Sequence, residues 1–163
     1  MKKMDFYGVG PKIGRILIPW WAVTIILSFT SEYFRFTQER SITQTALGAV
    51  YLLFGLIFYF TSVKLLLNGL KEGKLVTTGT FSLCQNPLYM SFVLILIPAI
   101  GVLLNSWLVL TTCVVGFILM KVYISNEYQV LEEAFGSEYL KYKAETPEFF
   151  PFPMKKWLGR KSY

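Results

Sequence analysis

The residues best suited to chemistry lie in one polar segment, residues 79–89, which reads Gly-Thr-Phe-Ser-Leu-Cys-Gln-Asn-Pro-Leu-Tyr. Asn86 followed by Pro87 is typical of a helix start, with asparagine as the N-cap and proline in the first helical position. Such a start leaves free backbone N–H groups and a positive dipole end, which bind a carboxylate or a phosphate. The same pair also serves simply to begin a helix, and the spacing alone leaves both interpretations open.

A second set of candidate residues follows a long apolar stretch. Glu127 comes just after it, where an acid at the mouth of a helix bundle can pair with an ammonium group, or can simply be solvated at a helix end. Tyr139 and Tyr142 share one helical face, either as the wall of an aromatic pocket or as anchors at the membrane interface.

The composition places these residues in a membrane protein. Of the 163 residues, 54% are hydrophobic and only 16% are charged, and the mean hydropathy is positive. The two cysteines lack CxxC spacing, and the chain has no histidine, which argues against zinc sites and histidine bases. The sequence has no phosphate loop, and its basic tail lacks the context for nucleic-acid binding. We therefore expect neither a metal nor a nucleic acid, and the lipid bilayer as a partner.

The apolar stretches predict an all-α integral membrane protein with about four transmembrane helices. Residues 13–31 and 46–67 are the first two candidates. Residues 88–125 would extend about 57 Å as one helix at about 1.5 Å per residue, nearly twice the thickness of the hydrocarbon. Asn105 lies near the midpoint of this stretch, so the sequence predicts a helical hairpin that turns at Asn105-Ser106, with Pro98 kinking its first half.

The segment after residue 125 is charged and rich in tyrosine, and it predicts short cytosolic or interfacial helices. The first continues to Phe135, Gly136 interrupts it, Ser137 caps a second short helix, and Pro147 ends that helix. The lysine and arginine residues place both termini and the loop at residues 69–86 in the cytoplasm.

We interpret the chain as one membrane domain with three parts. Residues 1–74 hold spans one and two, residues 75–153 hold the polar motifs with spans three and four, and residues 154–163 form a basic tail. Residues 149–153 and the basic tail fit an interfacial segment that touches anionic headgroups.

Residues 75–153 resemble the isoprenylcysteine carboxyl methyltransferase family, to which membrane phospholipid methyltransferases are related. The resemblance is carried by residues 79–91 on one side of the hairpin, and by Glu127 with the run LEEAFGSEYLKY at residues 131–142 on the other. A Thr-Pro step and a further proline follow this run. The two motifs, in this order around a hairpin, are together rather specific.

The resemblance implies a membrane methyltransferase that uses S-adenosylmethionine in a pocket open to the cytosol, with a lipophilic acceptor entering from the membrane. It implies Glu127 and Gln85 as catalytic residues, with Glu127 as the acidic partner near the reaction centre. An amine acceptor would need to lose a proton, and Glu127 is our candidate for the base. Carried over by position, the cofactor-binding residues are Gly79, Gln85, Asn86, Pro87, Tyr89, Glu127, Tyr139 and Tyr142. The acceptor itself stays open among an isoprenylated cysteine, a phospholipid headgroup, a small thiol and a lipid quinone or acid.

The chain departs from the family pattern at two cationic positions. The family usually has an arginine where this chain has Gln85, and often another where it has Glu148. Glutamine keeps hydrogen bonding but lacks the permanent charge and the bidentate fork of arginine. If a cofactor carboxylate is held by those arginines, Lys74 or Lys143 is the candidate replacement.

Two other classes of function stay open at this stage. Membrane steroid reductases share a comparable motif but bind a nicotinamide cofactor, whose phosphates would need more cations than Lys71 and Lys74. A membrane binding or scaffold protein with a decayed site is the second, and Gln85 favours it. Titration with the two cofactors distinguishes all three.

Overall fold

A computed structural model of the protein describes residues 9–149, where the regular structure is helical and no strand occurs. A short 3-10 turn, Glu32–Phe34, follows the first helix. The helices in chain order are α1 (Gly10–Thr30), α2 (Ile42–Glu72), α3 (Thr80–Leu83), α4 (Pro87–Leu103), α5 (Trp107–Phe135) and α6 (Ser137–Glu145). The all-α prediction is confirmed for these residues, and the predicted basic tail and most of the interfacial segment lie outside them.

Within residues 9–149, three helices are long and apolar enough to cross a membrane: α1, α2 and α5. They carry many exposed large hydrophobic side chains, as helices that face lipid do. Helix α4 is also apolar but shorter, since Pro87–Leu103 falls in the range of 10–17 residues. The described residues thus hold three candidate spans, which supports a membrane protein, where the sequence predicted about four.

Helices α4 and α5 form the predicted hairpin, and it turns at Asn105. This residue has a φ of 54°, a left-handed conformation that asparagine tolerates better than most side chains do. Its Oδ1 accepts from the Thr37 backbone N–H at 3.3 Å and from Gln44 Nε2 at 3.0 Å, and its Nδ2 donates to the Thr37 carbonyl at 2.8 Å. These bonds attach the closed end of the hairpin to the segment that leads into α2.

A wider helical turn precedes Pro98 in α4. Over Ser91–Leu96 the helix takes the π form, in which backbone N–H groups bond five residues back. Proline has no N–H, so Pro98 leaves one backbone carbonyl of the preceding turn without an intrahelical donor. The Tyr51 hydroxyl on α2 donates to the Leu94 carbonyl of this turn at 2.8 Å. A neighbouring helix thus satisfies a backbone group that lipid cannot.

Helix α2 approaches α4 closely because small residues lie along one of its faces. A Cβ added to Gly55 would lie 2.7 Å from Leu96 Cδ2. Small residues permit such close packing in lipid, and a seven-residue spacing keeps them on one seam. Further along, Ser62 Oγ donates to Thr80 Oγ1 at 2.9 Å, which places α3. The buried small residues of this seam are Gly48, Gly55, Ser62 and Gly69.

The end of α5 turns the chain back toward the start of α4. Gly136, with a φ of 52°, interrupts the helix at the predicted position, and α6 ends at Glu145, before Pro147. Ser137 is the first residue of α6 and not its cap, since Gly136 occupies the N-cap and no side-chain cap bond forms. Glycine adopts the positive φ without steric cost, so the break needs no capping side chain.

We predict that Tyr51→Phe lowers the free energy of unfolding by about 1–3 kcal/mol, because the Leu94 carbonyl loses its donor in an apolar environment. Thermal unfolding in detergent micelles measures the loss. Tyr59→Phe is the matched control, since it removes a hydroxyl from the same helix. Equal destabilisation by the two substitutions would contradict the role given to Tyr51.

Candidate functional site

Asn86 connects the start of α4 to two other parts of the chain. Helix α4 begins at Pro87 as predicted, but the Asn86 side chain does not cap it. The amide instead donates from Nδ2 to the Tyr128 hydroxyl at 2.6 Å and to the Glu148 carbonyl at 3.1 Å. The interpretation of Asn86 as an N-cap is therefore wrong for its side chain, which joins α4 to α5 and to the C-terminal segment.

Gln85 binds the end of α6. Its backbone N–H donates to the Pro147 carbonyl at 2.9 Å, and its Nε2 donates to the carbonyls of Thr146 at 2.6 Å and Lys143 at 3.2 Å. The last carbonyls of a helix lack intrahelical donors, and Gln85 supplies them. Its Oε1 is buried and has no hydrogen-bond partner among the described residues. That oxygen can accept a hydrogen bond from a ligand.

Tyr89 and Glu127, two predicted site residues, meet between α4 and α5. The Tyr89 hydroxyl donates to Glu127 Oε2 at 3.1 Å. The backbone N–H groups of Val9 and Gly10, at the start of α1, also interact with this pair. Free N–H groups and the dipole at a helix start stabilise a carboxylate. Glu127 is half-buried, so it can still receive a cation from outside the bundle.

Tyr139 and Tyr142 are both buried, at 1% and 8% exposure, which favours a site wall over exposed interfacial anchors. Tyr142 donates its hydroxyl proton to the Phe81 carbonyl at 2.7 Å. The Tyr139 hydroxyl is buried without a hydrogen-bond partner in residues 9–149. Burial, and then the nearby carboxylates led by Glu127, raises the pKa of Tyr139 to about 12. Its hydroxyl therefore keeps its proton at neutral pH and remains available as a donor.

Lys121 and Tyr128 were not predicted as site residues, yet both contact Glu148. Its Oε1 accepts from the Tyr128 hydroxyl at 3.0 Å, and its Oε2 pairs with the Lys121 ammonium. The signal was in the sequence: Lys121 interrupts an apolar stretch, and Tyr128, seven residues later, lies on the same helical face.

Of the two lysines named as replacement cations, Lys143 lies at this site. Its Nζ is 5.0 Å from the centroid of the Tyr128 ring and 5.7 Å from that of Tyr139, within cation–π range. Lys74 is exposed and pairs with Glu72 at 2.9 Å.

Gly79 lies just before α3, in an exposed turn. Its φ of 63° and ψ of −127° form a combination essentially confined to glycine. A Cβ there would lie 2.6 Å from Leu65 Cδ1. The backbone conformation and Leu65 account for the glycine, which joins none of the described hydrogen bonds around Gln85, Asn86 and Glu127.

Comparison with known proteins gives a partial match. Over 88 residues the chain is 36% identical to the cobalt-zinc-cadmium resistance protein CzcN of Cupriavidus metallidurans. The match covers 53% of this chain and 40% of that protein, so the chain spans less than half of the curated relative. No protein-family model and no solved structure matches the chain. Within residues 9–149, no group of three or more His, Cys, Asp or Glu side chains could hold a metal ion.

We predict that Gly79→Ala lowers the free energy of unfolding by more than Gly136→Ala does. Both glycines have nearly the same backbone angles, which cost a side chain about 1–3 kcal/mol. A Cβ at Gly136 meets nothing within 4 Å, so the difference between the variants measures the clash with Leu65. Thermal unfolding in micelles provides the comparison, and equal losses would show that Leu65 yields freely.

We predict that Gln85→Leu loosens the C-terminal segment. Loss of two donors of about 0.5–1.5 kcal/mol each should speed amide exchange after residue 143 by roughly tenfold or more. Hydrogen–deuterium exchange with peptide resolution measures this, with exposed Gln129→Leu as the control. Unchanged exchange in the Gln85 variant would show that other contacts hold the segment.

Proposed function

We propose that the protein is an integral membrane methyltransferase that uses S-adenosylmethionine to modify a lipophilic or membrane-accessible acceptor. One observation carries the proposal: the C-terminal segment folds back on the start of α4 and is bound there by Gln85 and Asn86. The resemblance over residues 75–153 implies a site made by these two parts. Tyr89 and Glu127 lie in the same region, where they share a hydrogen bond. The Glu127 charge also acts on the Tyr139 hydroxyl and raises its pKa.

We also infer that α4 crosses the membrane as a fourth span, with the site and both termini on the cytoplasmic side. Its length of at most 17 residues corresponds to about 25 Å at about 1.5 Å per residue, the lower end of the spanning range. Lysine and arginine residues concentrate in the segments that this topology places inside.

The residues present fit the polar groups of this cofactor, which carries an ammonium, a carboxylate and a sulfonium. The Glu127 carboxylate matches the ammonium. Gln85 Oε1 and the Tyr139 hydroxyl are buried without partners among the described residues, and they would serve its hydrogen-bonding groups. The rings of Tyr128 and Tyr139, which already face the Lys143 ammonium, attract cations through their π faces.

When bound, the cofactor supplies an electrophilic methyl group, and the protein must place an acceptor in line with it. Such placement contributes roughly 7–11 kcal/mol in well-oriented reactions. Glu127 would be the base for an amine acceptor, and the Tyr89 hydroxyl donates to its carboxylate. Gln85 and Asn86 hold the C-terminal segment against the start of α4, next to this region.

The other classes have weaker support. A nicotinamide cofactor needs cations for its phosphates, and Lys74 is engaged with Glu72. A decayed binding protein is favoured by the structural bonds of Gln85, but those bonds use its Nε2 and leave Oε1 available. The name of the CzcN protein concerns metal resistance, and none of the contacts described above extends that role to this chain.

We predict that purified protein in detergent micelles binds S-adenosylmethionine, and that Glu127→Gln weakens the binding at least about tenfold, or about 1.4 kcal/mol. Tyr89→Phe should weaken it less, by about two- to tenfold, because only one hydrogen bond to Glu127 is lost. Glu138→Gln, an exposed carboxylate on α6, is the matched control and should leave the affinity unchanged. Isothermal calorimetry measures all four proteins.

The alternatives predict different titrations. Binding of a reduced nicotinamide dinucleotide in place of S-adenosylmethionine would establish the reductase class, and binding of neither would favour a scaffold. Wild-type affinity in Glu127→Gln would remove that residue from the cofactor site.

A further inference from the structure

The bundle holds the side chain of Glu148 as it would hold a ligand. One carboxylate oxygen pairs with the Lys121 ammonium and the other accepts from the Tyr128 hydroxyl at 3.0 Å. An ammonium and a hydroxyl that both donate to one carboxylate form a binding site with strong, charge-assisted hydrogen bonds. The Lys121 and Glu148 side chains are 44% and 35% exposed, so the pair lies at the edge of the bundle and not inside it.

The main chain around Glu148 is anchored independently of this carboxylate. The Pro147 carbonyl accepts from the Gln85 backbone N–H, and the Glu148 carbonyl accepts from Asn86 Nδ2. Phe149 is buried at 4% exposure and packs edge-on against a phenylalanine of α5. Because these contacts hold the backbone, the Glu148 side chain can move away from Lys121 and Tyr128 by rotamer changes alone.

We propose that Lys121 and Tyr128 form a carboxylate-binding site which Glu148 fills until the carboxylate of a ligand displaces it. The identity of that ligand, S-adenosylmethionine, rests on the proposed function. Lys121 then supplies the cation that Gln85 does not. Glu148 acts as an internal competitor for the Lys121 ammonium, which also lies 4.6 Å from the centroid of the Phe149 ring.

The exposure of the pair sets the size of the competition. Partly exposed ion pairs are weak, so the internal carboxylate should lower the affinity for an external one by only about two- to fivefold. A ligand with no carboxylate does not bind through Lys121, so its affinity should not depend on Glu148.

We predict that Glu148→Gln tightens the binding of S-adenosylmethionine by about two- to fivefold and leaves that of decarboxylated S-adenosylmethionine unchanged. Glutamine keeps the shape of the side chain and an acceptor for Tyr128, but it removes the competing charge. Lys121→Met should weaken only the carboxylate-bearing ligand. Glu145→Gln, an exposed carboxylate at the end of α6, is the matched control and should change neither affinity. Calorimetry in micelles measures both ligands.

Equal changes for the two ligands, or no change in Glu148→Gln while the wild type binds, would overturn the proposal. If the wild type binds neither ligand, the proposed function fails, and a second measurement still tests the carboxylate site. Thermal unfolding is then followed with methionine and with methioninol, which lacks the carboxylate. Greater stabilisation of Glu148→Gln than of the wild type by methionine alone supports the site, and equal stabilisation refutes it. If Glu148→Gln does not fold, Lys121→Met replaces it in both measurements. The proposal then expects weaker binding of S-adenosylmethionine and less stabilisation by methionine than in the wild type, and unchanged values would refute it.

Discussion

The carbonyl groups at the end of α6 need hydrogen-bond donors. The position of these donors, at the start of α4, determines where the candidate site lies. A helix end leaves its last carbonyls unpaired, and Gln85 supplies donors from both its backbone and its side chain. Once α6 is held there, Tyr142 reaches the Phe81 carbonyl and Tyr139 is buried beside the Tyr128 ring. The following residues are brought against α5. The hydrogen bonds of Gln85 thus determine where Tyr139 and Tyr142 lie relative to α4 and α5.

The two ends of the helical bundle treat their polar groups differently. At the hairpin turn, both the oxygen and the nitrogen of the Asn105 carboxamide have protein partners. At the other end, Gln85 Oε1 and the Tyr139 hydroxyl are buried without partners in residues 9–149. Buried polar atoms are nearly always paired, so an unpaired group calls for an explanation. A ligand that pairs with them is the explanation that the proposed function offers.

The local features of this fold were predictable from the sequence, and the long-range ones were not. The hairpin turn at Asn105 follows from a stretch too long for one span, and the break at Gly136 follows from one glycine between two helical patterns. The partners of Asn86 lie 42 and 62 residues away, and no local pattern specifies them. The small-residue seam of α2 could have been read from its seven-residue spacing. Lys121 is similar, since its position in the apolar stretch is visible but its pairing with Glu148 requires the fold.

The bond from Tyr51 to the Leu94 carbonyl has a consequence for how this sequence can drift. Pro98 cannot donate a backbone N–H in this part of α4, and the Tyr51 hydroxyl supplies a donor from α2 in its place. Positions 51 and 98 should therefore covary among descendants of this chain: the hydroxyl becomes dispensable after the proline is replaced, whereas the reverse order passes through a weakened intermediate. Evolution along this pair has a preferred direction, set by one carbonyl oxygen between α2 and α4.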